Sequence, residues 1–463
     1  MTTRAAWYDS PTPPAPGSVI DAEGGTTRYL WDDQARLVAV RDAAGRTARY
    51  HYDARGRPSA VGEGEQATRY EYDDADRLIA VQQPGGATTR YEYTALGLLA
   101  AVTDPAGRVT RYEYDGLSQI RRRFDPDGRV LEYHYDGERN LVGLTNEAGE
   151  RYRLRYDANE RLTQEIGFDG RITRYHYDRS GHLTRREAIE RTAAGERVLD
   201  AADYQRDPLG RLLEKRSLDG ATAFGYDPLG RLIEAANPER RLRWVYDTAG
   251  RMVEDWQDEA CQRHRHDALG RRIQSVLPDG ERIDYRYDPA GALTDLRHNG
   301  RSLLRIKRDG TGREMARRFG NAVETASLYD PQGRLIGQKT VQYPNPWKPN
   351  NLLAGIIGQA FNERPRPERE LHSRSYQYNA AGQLARINDS LRGLTRYHYD
   401  GADRLTRVEG PLPEELLHDP ASNLLDGAKD GATAAPGNRL AFHGDTHYGY
   451  DAHGNRVSAQ RGK

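Results

Sequence analysis

The densest group of residues able to do chemistry in this 463-residue chain is Cys261-Gln262-Arg263-His264-Arg265-His266. In an extended strand His264 and His266 fall on one face, the placement two imidazoles need to share a metal. His266-Asp267, however, stands where Tyr-Asp stands elsewhere, so the histidine reads as a substitute aromatic, and no clear fourth ligand lies nearby in sequence. No metal or other cofactor is expected. Carboxylates are plentiful, yet no spacing picks out a catalytic pair of acids. There is no glycine-rich phosphate loop and no Gly-x-Ser-x-Gly elbow, and among 47 glycines a loose glycine motif arises by chance. No catalytic residue is assigned, and the chain is read as a non-enzyme. Interleaved Arg and Tyr could stack on a nucleic acid strand and neutralise it. But 69 basic residues are balanced by 69 acidic ones, and Arg alternates with Glu on the same face, as in Arg111 and Glu113. Cross-strand ion pairing accounts for that pattern, and no nucleic acid partner is expected. Rows of Tyr with Trp31, Trp244 and Trp256 could pack against sugars. That gives the alternative reading, a stand-alone cell-surface protein that binds carbohydrate or mediates contact.

These side chains sit on a repeat. A Tyr-Asp step or a degenerate form of it recurs along the chain, mostly every 20 or 21 residues. The anchors are Tyr52, Asp53 and Gly56; Tyr114 and Asp115; Tyr177, Asp178 and Gly181; and Tyr226, Asp227 and Gly230. They continue as Tyr287, Asp288 and Gly291; Tyr329, Asp330 and Gly333; Tyr399 and Asp400; and Tyr450, Asp451 and Gly454. Before each Asp, segments such as Thr110-Arg111-Tyr112-Glu113-Tyr114 alternate polar and aromatic residues, which in a strand puts Tyr112 and Tyr114 on one face. Asp first, Pro often second and Gly fourth are the preferences of a type I turn closed by a left-handed residue, the form of a three-residue hairpin loop with a bulge. A second turn, such as Asp104-Pro105-Ala106-Gly107, follows half a period later. Turns every 10 or 11 residues leave strands of six or seven and make an antiparallel meander. Nineteen anchors imply about 38 strands, and a twisted sheet of that length must curl into a partial, cocoon-like shell that encloses space.

Composition agrees with a folded but thinly cored array. Only 37% of residues are hydrophobic and mean hydropathy is −0.90, while 29 Tyr supply the packing surface. A single cysteine excludes an internal disulfide framework, and no run of 18 apolar residues is present to span a membrane. The first residues carry no apolar core of a secretory signal, so the chain is expected to be made in the cytoplasm. Residues 1–25, rich in proline, read as a linker or cut edge, and residues 26–463 as the repeat region. The 29-residue interval from Asp178 to Asp207 implies a longer hairpin within Glu187 to Asp203. The interval of 49 from Asp330 to Asn379 holds an insertion at about 338–372, in which Leu353, Ile356, Ile357, Ala360 and Phe361 fall at helical spacing. Unpaired ends of such a sheet are expected to promote self-association.

Tyr226-Asp227-Pro228-Leu229-Gly230-Arg231-Leu232 and Tyr329-Asp330-Pro331-Gln332-Gly333-Arg334-Leu335 resemble the RHS/YD-repeat family. The resemblance covers about residues 26 to 460. The later stretch, with Arg392-Gly393-Leu394-Thr395-Arg396-Tyr397 and Asp419-Pro420-Ala421-Ser422-Asn423-Leu424-Leu425-Asp426, is similar to bacterial Rhs proteins. The resemblance implies a cocoon of repeats around a toxic C-terminal domain, commonly exported by type VI secretion and used in bacterial competition. On that basis the partners are a toxin passenger and further shell repeats outside this chain, and a secretion spike. The Asp-Pro-x-Gly-Leu segment at which family members cut the toxin free is not found: Asp207-Pro208-Leu209-Gly210 is followed by Arg211.

Overall fold

In this computed structural model the described residues are 17–343, 369–426, 446–451 and 455–462, with short strands at Arg4–Ala5, Ala434–Ala435, Arg439–Leu440 and Phe442–His443. They form 43 strands, one 3-10 turn at Gly64–Gln66, and no α-helix among the described residues. Those four short strands and Ser18–Ile20 make up the difference from the expected number.

Consecutive strands pair antiparallel, as Val109–Tyr114 does with Ile120–Phe124, and Ile120–Phe124 with Val130–Tyr135. At each Tyr-Asp step the register shifts by one residue, between Glu113 and Tyr114 for example, which is the expected bulge. The fourth turn residue is left-handed: φ is 81° at Gly56 and 80° at Gly230. Where glycine is missing the conformation persists at a strain cost, at Ser118 (65°), Arg139 (74°) and Glu160 (59°).

The two faces of the sheet are covered differently. Tyrosines occupy one. On the other, a small residue sits mid-strand between long charged neighbours: Ala80 lies opposite Glu71 on one side and Arg90 on the other, and is 1% exposed. The aliphatic stems of Arg and Glu therefore act as the apolar cover of the charged face. Ion pairs then cap that layer, as where Arg122 meets Glu132 at 2.8 Å and Glu113 at 3.7 Å.

The chain divides into two compact units, residues 1–90 with 244–395, and residues 91–243 with 396–463. In the first, turns of the early repeats meet anchor turns of the late ones. The Ala268 N–H donates to Glu23 Oε1 at 2.8 Å, and Arg46 approaches Asp288 at 3.8 Å. In the second unit, Arg108 pairs with Asp403 at 2.5 Å, and Arg129 donates to the carbonyls of Asp419, at 3.3 Å, and Pro420. Within each unit the sheet thus lies rim to rim against a stretch of itself, and we call that line of turns a seam.

The interval after Asp178 forms a long hairpin, Leu183–Thr192 with Gly195–Arg206, and this covers Glu187 to Asp203 as expected. Strand Ser18–Ile20 falls inside the Pro-rich start and pairs with Thr26–Trp31. Strands Leu335–Gln342 and Arg369–Tyr378 pair with each other and carry the insertion between them. Leu353, Ile356, Ile357, Ala360 and Phe361, the prolines at 11, 13, 14 and 16, and Gly454 lie outside the described residues. Among the described residues no helix is long and apolar enough to cross a membrane.

Candidate functional site

Each anchor turn is a small machine built from five residues. Asp309 shows all its parts. One carboxylate oxygen accepts the N–H groups of Thr311 and Arg313, at 2.8 and 2.9 Å, while the other accepts from Arg313 Nε at 2.8 Å. The Thr311 hydroxyl adds a further bond at 2.7 Å. Burial would raise this carboxyl, but these hydrogen bonds outweigh it and hold it down to about 2.

The same arginine then reaches into the next repeat. Arg313 donates to the Asp330 carbonyl at 3.3 Å and stacks over Tyr329 at 5.3 Å from the ring centre. Tyr329 reaches back, its hydroxyl donating to the Glu314 carbonyl at 3.0 Å. Arginine and tyrosine thus clasp consecutive hairpins from opposite directions. The clasp recurs at Arg161 with Tyr177 (5.0 Å), Arg211 with Tyr226 (5.2 Å) and Arg271 with Tyr287 (5.0 Å).

The sequence-derived anchors fall on this pattern. Hydroxyls of Tyr52, Tyr114, Tyr177, Tyr226 and Tyr287 donate to the carbonyls of Leu37, Leu99, Leu162, Leu212 and Arg272, all at 2.7 to 3.0 Å. Asp53, Asp115, Asp178, Asp227, Asp288, Asp330, Asp400 and Asp451 each accept the N–H of the residue four positions on. Gly181, Gly291 and Gly333 take the left-handed position in their turns. Tyr399 and Tyr450 end the strands Gly393–Tyr399 and Thr446–Tyr450 in the equivalent slot. In Tyr287→Phe the hydroxyl bond is lost while the ring stays under Arg271, so the expected loss of stability is about 1 kcal/mol. Thermal denaturation of the variant against the parent checks this.

One feature of the clasp was not read from sequence: the fifth turn residue complements the first. Asp is followed in most turns by a donor, usually Arg, or by Asn at Asn140, Asn423 and Asn455, with Ala292 after Asp288 as an exception. Asn379 is followed by the acceptor Gln383, and Asn379 Nδ2 donates to it at 2.7 Å. Asn146 likewise donates to Glu150 at 2.8 Å.

His264 and His266 do share the tyrosine face. His264 is buried against the Ser275 hydroxyl at 3.1 Å, and burial pushes it below the ordinary histidine value. Among the described residues no group of three or more His, Cys, Asp or Glu side chains is placed to hold a metal ion.

A tandem β-meander fastened by Tyr-Asp clasps defines a class of repeat protein, and the comparisons agree with it. The RHS Repeat family model matches residues 31–68, 52–88, 72–107, 266–302 and 378–412, and the Teneurin YD-shell model matches residues 102–265. The chain belongs to the RHS/YD-repeat family. Double-stranded DNA deaminase toxin A of Burkholderia cenocepacia (strain H111) is 32% identical over 190 residues, which is 40% of this chain. The chain spans 12% of that relative's length. Among solved structures, TcdB2-TccC3 without its hypervariable C-terminal region aligns over all of this chain and 29% of its own, with TM-score 0.62 and 14% identity. TcdB2-TccC3-TEV aligns over 95% of this chain and 29% of its own, with TM-score 0.60 and 15% identity. These likenesses concern the fold.

Proposed function

We propose that this segment is a piece of wall in the encapsulating shell of an Rhs-type polymorphic toxin, and that its work is enclosure rather than catalysis. In this reading a toxin domain lies C-terminal to the repeats, further repeats complete the wall, and a type VI apparatus carries the assembly out of the cell. The observation that carries the reading is the seam. In each unit the rim of one stretch of sheet is fastened to the rim of another by Arg46, Arg108 and Arg129, which is what a meander needs in order to become a continuous wall. The family match and the toxin in the relative's name support it.

The natural reading frame, expressed together with the sequence downstream of these repeats, tests the proposal. A passenger domain inside the wall should survive a protease dose that degrades the same domain expressed alone. Equal degradation, or a reading frame with no domain beyond the repeats, would count against enclosure. Release that persists in a strain lacking the type VI sheath would refute that route alone.

A further inference from the structure

At two anchors histidine replaces the tyrosine of the Tyr-Asp step: His266 before Asp267 and His418 before Asp419. Both anchors lie on a seam, one in each unit. The turn at Asp267 meets Glu23 through the Ala268 N–H, and the Asp419 carbonyl accepts from Arg129. At both histidines Nδ1 is buried with no hydrogen-bond partner. Buried polar atoms in folded proteins are nearly always paired, so two such atoms in equivalent slots call for an explanation.

The surroundings supply one. Near His266 are Arg251, which donates to the Asp267 carbonyl at 2.7 Å, and Arg272, directly opposite on the next strand. Asp247, Asp267 and His264 complete that group. Near His418 are Arg404, which donates to the Asp419 carbonyl at 3.2 Å, Arg129 from across the seam, and the carboxylates of Asp400 and Asp419. A tyrosine in this slot stays neutral under the arginine at any physiological pH, whereas an imidazole gains a positive charge below about pH 6.5.

We propose that His266 and His418 are acid-sensitive pins: protonation sets a cation beside the arginines that fasten these two anchors, and the turns at Asp267 and Asp419 let go of Glu23 and Arg129. Burial first, then the nearby arginines, hold both imidazoles below the ordinary histidine value. The folded state therefore favours the neutral ring. Stability is complete above the ordinary value and falls as the pH drops below it. Asp247, Asp267 and Asp400 stay charged across that range, because hydrogen bonds from Arg251, Arg271 and Arg404 hold them below ordinary carboxylates, the last two against the cost of burial. The inference stands whether or not the wall encloses a passenger.

Hydrogen exchange of the whole chain, read by mass spectrometry and corrected for intrinsic rates, tests it. Amides of turns 267–271 and 419–423 should open equally often between about pH 7.5 and about pH 6.5, and then up to about tenfold more often per unit of pH on going down to about pH 5. The turn at Asp288, a seam anchor pinned by Tyr287, should not change. In the variant H266Y/H418Y, which restores the residue carried by most anchors, the added opening should vanish. Each single variant should silence only its own turn, which keeps the test usable if the pair folds poorly. Acid opening that is absent from the parent, or equal in parent and variants, would overturn the proposal.

Discussion

Asp309→Asn is expected to destabilise its hairpin by about 2 kcal/mol at neutral pH, the free energy that corresponds to holding a carboxyl down at about 2. The asparagine keeps an oxygen for the Thr311 and Arg313 amides but turns an N–H toward Arg313 Nε, donor against donor. The sign of the pH dependence follows. Because the folded carboxyl sits below its ordinary value, its contribution is present above about pH 4 and is lost as the pH falls toward about 2. The variant should therefore lose part of the parent's steep decline in that window. Arg313→Gln added to Asp309→Asn rebuilds the pairing that Asn379 and Gln383 already make. The double variant should be less destabilised than the sum of the two single variants, a coupling of about 1 kcal/mol, although it still loses the reach of Arg313 to Asp330 and Tyr329. Native-state hydrogen exchange across Arg301–Arg308 and Glu314–Phe319 measures each arm of the cycle, and simple additivity would show that the first and fifth residues do not act as a unit.

Arg108→Glu should open the seam of the second unit. Arg108 is only 19% exposed and bridges Asp104, in its own turn, to Asp403 in a turn 295 positions later. A glutamate there gathers three carboxylates where one cation had balanced two. We expect a local cost of about 2 kcal/mol, moderated by the exposure of Asp403, and a matching rise in proteolysis near Asp403. Asp403→Arg added to Arg108→Glu restores opposite charges and should return protection to most of its original level. If the single reversal leaves cleavage at 400–404 unchanged, Arg108 does not hold the rims together.

What could be read from the sequence was local. Asp and Gly at fixed offsets mark the turns, and alternating Tyr and Arg mark the strands, because each choice is made by backbone geometry within four residues. The long hairpin after Asp178 showed as a stretched interval. The complement at the fifth turn position was equally open to inspection, since Asn379 with Gln383 and Asn146 with Glu150 depart from Asp-Arg in step; turn preferences alone do not ask for it. The seam is different in kind. Glu23 and the Ala268 amide are 245 positions apart, and nothing in either turn distinguishes it from its neighbours. The partner of a turn depends on how far the sheet winds before it returns, a sum of small twists that no single motif encodes. The buried alanines were hidden for a related reason: Ala80 looks ordinary until Glu71 and Arg90 are laid over it.

The two kinds of turn also differ in form. Turns that meet a seam from the early repeats, at Asp21 to Gly25, Asp42 to Arg46, Asp104 to Arg108 and Asp125 to Arg129, are closed turns of five residues each, the last three ending in arginine. Other turns of the same series, at Ser217–Gly220, Gln257–Ala260 and His298–Arg301, are tight two-residue hairpins. The lengthened hairpin, with its exposed tip at Ala193-Ala194, and the stretch between Gln342 and Arg369 belong to the same series but not to those arginine-bearing loops. Among the described turns of this series, length thus varies from hairpin to hairpin but holds constant in the turns that face a seam. For anyone grafting a label or a foreign domain onto such an array, Ala193-Ala194 is the permissive socket, and Pro105-Ala106 is the place to leave alone.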